Sequence, residues 1–248
     1  MSVDRARRLR SALRIADVCK VIRPGQSVVG LIDVLNDLTG RLGYAQGSQP
    51  KVSQMNPRHA LFPLKTVLLP ACTLDLQIFE ARYLDMVSQC FKREQGFLVV
   101  GLEAGPEAGS GNLTFSALGC EARIIDWQQR ENGLLGIRVL GCRRGRARDV
   151  EVASDGLVTA QIDWLAEAPD APPTDAHADL MALRESLLQH PLGAGLGLPD
   201  VDSSQQALAY QLAYLLPFSV EQKTALLTIE DADRRLSQID EWLHSMQS

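Results

Sequence analysis

The chain has 248 residues, 46% hydrophobic and 22% charged, with a formal net charge of −5. This is ordinary globular usage and excludes bulk disorder. No run approaches the ~20 apolar residues of a membrane span, and the N-terminus lacks the apolar core of a secretory signal, so a cytoplasmic location is expected. At this length the chain can bury a full core and has room for two domains. Five cysteines (Cys19, Cys72, Cys90, Cys120, Cys142) form no C-x-x-C pair. They read as reduced thiols, mostly small core hydrophobes.

Residues 1–54 carry nine Lys/Arg against four Asp and no Glu, whereas the remainder holds 16 basic and 26 acidic residues. Such a break marks the first segment as a different kind of sequence. Arg5–Ile15 (RARRLRSALRI) predicts a basic helix, and Leu31, Val34, Leu35 and Leu38 recur at helical spacing. Residues 40–54 are polar, with Gly, Ser and Pro, and read as a linker. One reading is a targeting or nucleic-acid-binding arm. The plainer one is an extension upstream of a start at Met55.

From Leu61 the pattern changes to LFPLKTVLLPACTLDLQIFEARY. Pro63 and Pro70 cannot donate to a ladder and belong at strand edges or turns. Leu74, Leu76 and Ile78 alternate with Asp75 and Gln77, the pattern of a half-buried strand. A helix is predicted over Glu80–Arg93, with Tyr83, Leu84, Val87, Cys90 and Phe91 on one face. Short runs rich in Val, Ile, Leu and Thr follow at Gly96–Leu102, Leu118–Asp126, Asn132–Val139 and Leu157–Trp164. Turns are expected at Gly109–Asn112, Glu131–Gly133 and Ser154–Gly156. Many short strands with one helix suggest a small, partly closed barrel.

After the hinge Ala168–Pro173 (APDAPP) the chain reads as helical. Thr174 can cap a helix whose stripe is Leu180, Leu183, Leu187 and Leu188. Ser203 or Ser204 starts another with Leu208, Leu212 and Leu215. Ser219 and Gln222 have capping-box spacing. A last helix carries Leu236, Ile239, Leu243 and Met246.

The order FPL–x–x–LLP, then IFEARY, GFLVVGL, LGCEARIID, NGLLGIRV, GCRRGR and LVTAQIDW resembles the amino-terminal substrate-recognition domain of Lon proteases. It is most similar to bacterial stand-alone proteins that carry this domain without the ATPase and peptidase. The resemblance implies an α+β fold: a PUA-like, partly closed β-barrel with one inserted helix, then a C-terminal α-helical bundle. The expected division is an extension over 1–54, the barrel over 55–168 and the bundle over 169–248. It departs from the family at Ala71–Cys72, where Gly is usual after the second proline, and at Gly145 and Ala147, where larger residues are usual.

Chemical motifs are missing from the sequence. A phosphate-cradling loop needs G-x-x-x-x-G-K-[ST], and no Gly-Lys pair occurs. Gly193–Gly197 lacks the lysine and the preceding strand, and reads as a connector. His59, His177, His190 and His244 show no ligand spacing. Ser219 lacks a nucleophile elbow. No enzymatic activity and no cofactor or metal are therefore expected.

The resemblance implies instead a module that recognises unfolded or tagged polypeptides and presents them to a protease or chaperone in protein quality control. An exposed apolar patch rimmed by polar groups is the physical requirement. Candidate binding residues are Phe62, Leu64, Leu69, Phe79, Glu80, Arg82 and Tyr83, with Leu68 and Leu76 beside them. The cluster Glu80–Arg82–Tyr83 has a plainer reading, in which the charges fix helix to barrel. The alternative function is RNA binding through Arg143, Arg144, Arg146 and Arg148. Strand alternation puts the last three on one face. Against it stand the acidic body and the lack of an aromatic stacking surface, so nucleic acid and membrane are not expected partners.

Overall fold

The computed structural model describes residues 58–106, 113–190, 193, 196–199, 201 and 203–246. The basic segment 1–54 and the turn expected at 109–112 lie outside the described residues. The elements are β1 (His59–Leu64), β2 (Thr73–Ile78), α1 (Ala81–Arg93), β3 (Phe97–Ala104), β4 (Thr114–Gln129), β5 (Leu135–Val152) and β6 (Val158–Trp164). A 3-10 turn (Asp175–His177) then leads to α2 (Ala178–Gln189), α3 (Gln205–Leu215), α4 (Val220–Leu226) and α5 (Ala232–Met246). Among the described residues no helix is long and apolar enough to cross a membrane.

The strand order is β2-β5-β4-β3-β1-β6, and β6 also pairs with β5. Following the pairings from β5 through β4, β3, β1 and β6 returns to β5, so these strands form a ring with β2 attached outside it. β5 makes this possible by its length. Its first half takes β2 and β4 as neighbours, and its second half takes β4 and β6. β1 and β3 are parallel, and a parallel step needs a crossover. β2 and α1 form that crossover. Pro63 sits where β1 pairs with β3 only, because the β6 pairing is confined to His59 and Ala60.

One irregularity sets the faces of β5. Cys142 and Arg143 stand opposite Glu121 alone, between the pairs Gly141↔Ala122 and Arg144↔Cys120. Such a bulge shifts the alternation by one residue. Before it, Leu135, Ile137 and Val139 pack with Phe62, Phe97 and the α1 residues Tyr83, Val87 and Phe91. Beyond it, Ala147 joins Leu61, Leu98, Val100 and Ile162 on the other face. The sequence pattern predicts separate segments at 132–139 and 141–146; the structure runs them together as one bent strand.

Gly141, just before the bulge, is needed for close approach. A Cβ there would lie 2.1 Å from the Leu69 carbonyl oxygen. Its N–H donates to Cys72 O at 2.8 Å, and its carbonyl accepts from Ala71 N–H at 2.9 Å. Ala71 holds φ at 58°, a left-handed conformation that glycine adopts without strain.

The helical segment buries its own core. Leu208, Leu212, Leu216, Phe218, Leu236 and Ile239 pack with Val67, Leu69 and Leu118 from the sheet side. Its helix starts follow the sequence. Ser204 caps α3 by accepting from Ala207 N–H at 2.9 Å. Ser219 and Gln222 form a reciprocal capping box at α4. Each cap of this kind contributes about 1 kcal/mol.

Candidate functional site

β2 delivers the chain to the start of α1. Leu76 and Ile78 are buried by alternation, so Phe79 is turned out and is 56% exposed. Glu80 is the N-cap residue of α1 but makes no side-chain cap. Its carboxylate instead meets Arg82, Nη2 to Oε2 at 2.9 Å. Arg82 also donates from Nη1 to the Gly156 carbonyl at 2.8 Å and stands over the Tyr83 ring at 4.7 Å. Gly156 closes the β5–β6 turn at φ 83°. Arg82 therefore fastens the α1 start to the β5–β6 turn.

β5 reaches that turn with Val150 and Val152, which are 47% and 68% exposed. A second irregularity between Arg148 and Glu151, with Asp149 at φ 49°, reorients this end of the strand. Glu151, between the valines, pairs with Arg58 at 3.1 Å. Phe79 lies three residues before Arg82, and Val152 four before Gly156. The Arg82–Gly156 contact thus joins the two segments that carry these exposed apolar residues, the α1 start with Phe79 and the end of β5 with Val150 and Val152.

The sequence-predicted binding residues separate on this map. Phe79 is exposed, with Glu80 and Arg82 beside it. Tyr83 and Phe62 are core residues, their rings 4.2 Å apart, and Phe97 continues the stack at 5.7 Å from Phe62. Burial pushes the Tyr83 hydroxyl pKa up. Leu64 is half-buried against the same core, with Leu68 and Leu76 inside it. Leu69 is fully buried among the helices. Burial removes Phe62, Leu69 and Tyr83 from any surface patch. Val150 and Val152 were not singled out from sequence, although their alternation with Asp149 and Glu151 is the signal of a strand open to solvent.

The arginines of β5 separate as well. Arg144, Arg146 and Arg148 do share a strand face, opposite Ala147, but the helices cover Arg144, leaving it 1% exposed. Its guanidinium donates to Glu167 Oε1 at 2.5 Å, Leu227 O at 2.7 Å and Ala166 O at 2.6 Å. Glu167 also accepts from Arg235 Nη2 at 3.1 Å and from the Tyr210 hydroxyl at 3.0 Å. Arg235, fully buried, stacks over the Tyr210 ring at 4.0 Å and bonds the Leu226 and Ile229 carbonyls. Burial drives the Tyr210 pKa far up. This joint ties β5 to three parts of the helical segment, and its charge is committed to internal partners.

Arg143, at the bulge, pairs with the buried Glu121 at 2.7 Å and lies 3.8 Å over the Trp164 ring. Arg148 pairs with Asp163 across the β5–β6 ladder. Of the β5 arginines, only Arg146 is exposed without an acidic partner among the described residues. A phosphate-binding strip would need three or four such cations in a row.

Among the described residues no group of three His, Cys, Asp or Glu is placed to hold a metal. The thiols are held protonated by burial, Cys90 being pushed up to about 12 and Cys72 and Cys120 further. His177 is taken up by the Thr174 cap and by Asp233, 3.1 Å from its Nε2.

The fold defines a sheet-and-helix domain with Phe79, Val150 and Val152 exposed and with most of the β5 arginines paired to acidic groups. The model of the ATP-dependent protease La (LON) substrate-binding domain matches residues 59–245, and the chain belongs to this family. The crystal structure of a Lon N-terminal domain protein from Xanthomonas campestris is similar at 32% identity and TM-score 0.62. That match covers 75% of this chain and 98% of the other. The N-terminal domain of Mycobacterium avium complex Lon protease shares the fold, at 19% identity and TM-score 0.52, over 75% of this chain and 97% of that one. No curated protein matches.

Proposed function

We propose that this chain is a non-enzymatic polypeptide-binding module of cytoplasmic protein quality control. It recognises unfolded or tagged polypeptides and presents them to a protease or chaperone. The observation that carries the reading is the exposure of Phe79 before α1 and of Val150 and Val152 at the end of β5, on two segments that Arg82 joins through Gly156. Membership of the Lon substrate-binding family supports the activity. The ring of strands over 55–168 is read as a PUA-like barrel, and residues 169–248 as a helical bundle packed on it. Residues 1–54 are an extension dispensable for both.

Apolar contact on a flexible client fits micromolar affinity, because the client loses conformational entropy when it binds. Such contact tolerates salt, whereas phosphate contact weakens steeply. The direct test titrates a reduced, unfolded model protein and a structured RNA at low and high salt. The proposal expects unfolded protein to bind with little salt dependence and RNA to bind weakly. Tight, salt-sensitive RNA binding without polypeptide binding would replace it with the arginine-strand reading, which the internal pairing of Arg143, Arg144 and Arg148 disfavours.

A further inference from the structure

β2 has an open edge. It pairs with β5 on one side, and among the described residues nothing pairs with the other. The phase of the ladder tells which groups face outward. Antiparallel residues alternate between pairs that exchange both hydrogen bonds and pairs that exchange none. Gly141 N–H donates to Cys72 O at 2.8 Å and its carbonyl accepts from Ala71 N–H, so Ala71 and Cys72 together take the hydrogen-bonded position opposite Gly141. By alternation Leu74, Leu76 and Ile78 bond to β5. Thr73, Asp75 and Gln77 turn their backbone N–H and C=O away from β5; Thr73 is buried there, its hydroxyl donating to Leu196 O at 2.7 Å, so the open stretch is Asp75–Gln77.

Proteins protect such an edge with Pro, Lys, a bulge or an unpaired charge. Thr73–Ile78 (TLDLQI) has no Pro or Lys, and its pairing with β5 runs without a register shift. Its one charge, Asp75, is held by both arms of Arg138 at 2.7 and 2.8 Å. On the sheet face, on the β5 side of β2, lies an open cleft of about 670 Å³ lined by Asp75, Gln77, Gln128, Gln129, Arg130 and Glu131. Gly136 lies between Gln77 and Gln128 in the ladder and lowers the floor there. The cleft's charges balance, two acidic with Arg130 and the Arg138 that holds Asp75. What the edge itself offers is the unpaired backbone N–H and C=O groups of Asp75 and Gln77. That chemistry is complementary to a polypeptide main chain and indifferent to its side chains. β2 also runs directly into Phe79.

We propose that the β2 edge accepts an extended polypeptide segment as an added strand along Asp75–Gln77, ending near Phe79. This rests on the polypeptide-binding reading and names a site for it. The test uses a labelled peptide of about eight residues, alternating Val and Thr between terminal lysines, long enough to cover one strand. A second peptide is N-methylated at alternate residues, which removes the donors of one edge. Gln77→Pro removes an outward N–H and no bond to β5, so the sheet is retained; a thermal melt checks this. Gln77→Ala removes the side chain alone.

The expected result is that N-methylation and Gln77→Pro each weaken peptide binding at least roughly tenfold, while Gln77→Ala changes it by less than about threefold, because main-chain bonds supply the affinity. Equal binding of the two peptides overturns the proposal even if Gln77→Pro fails to fold. If unfolded protein binds parent and Gln77→Pro alike, the edge is wrong and the polypeptide reading stands. If the parent binds neither peptide nor unfolded protein, both fall. A dimer that Gln77→Pro dissolves, without peptide binding, also overturns it and makes a second copy the occupant.

Discussion

The joint between the ring and the helices is polar and closed, whereas the end around Phe79 is apolar and open. At the joint, Arg144, Glu167, Arg235 and Tyr210 bond to one another and to nearby carbonyls, with both arginines and the tyrosine out of solvent and Arg235 Nη1 buried without a partner. At the other end, Phe79, Val150 and Val152 stand in water on two segments that Arg82 joins. The usual expectation, charges outside for contact and apolar groups inside for packing, is inverted at both places. Charge here marks where the chain holds itself together. Exposed hydrocarbon marks where it can hold something else.

Breaking the joint has the largest expected effect. Glu167→Ala leaves Arg144 and Arg235 buried without their carboxylate, a loss of about 3–5 kcal/mol, read as a lower urea midpoint. A change under about 1 kcal/mol would mean that the carbonyls alone satisfy both guanidiniums. Next is Gly141→Ala, whose Cβ meets the Leu69 carbonyl at 2.1 Å. Backbone must shift, costing about 1–3 kcal/mol on the same measurement.

Smaller effects sharpen the contrast. Ala71→Gly relieves the left-handed conformation at φ 58° and should raise stability by up to about 1 kcal/mol, less the entropy glycine adds to the unfolded chain. Asp75→Asn should cost about 0.5 kcal/mol or less, because the Arg138 pair is largely exposed. Its pH dependence has a definite sign. The hydrogen bond from Arg138 lowers the folded pKa of Asp75. The contribution is therefore full above the unfolded pKa of about 3.9 and is lost as pH falls through the lower folded value. Parent and Asp75→Asn stabilities should converge below about pH 4. Divergence there would give the pair another role.

Local signals were legible in the sequence. The Leu74–Leu76–Ile78 alternation, the α1 stripe and the Ser219–Gln222 capping box each depend on neighbours a few residues apart. The Gly usual in the resembling family at position 71 agrees with its left-handed φ. Long-range features were not legible. The continuity of β5 through Gly141 depends on Leu69, 72 residues earlier. The burial of Arg144 depends on Glu167 and Leu227. One clue was present: Arg235 stands at stripe spacing with Ala232, Leu236 and Ile239, an arginine where the helix face is apolar. Phe79 is exposed, whereas Phe62, Leu69 and Tyr83 are buried, so apolar character alone does not tell patch from core.

The central claim is that polypeptide contact belongs to the open apolar end and not to the arginine strand. The measurement is binding of a reduced, unfolded model protein to three forms: the parent, Phe79→Ser with Val152→Ser, and Arg146→Ser with Arg148→Ser. All changed side chains are exposed, so their melts should stay within about 1 kcal/mol of the parent. The account predicts at least roughly fivefold weaker binding for the Phe79/Val152 form, from two lost apolar contacts. It predicts parent-like affinity for the arginine form at both low and high salt. The opposite pattern, binding lost with the arginines and kept without Phe79 and Val152, would contradict it.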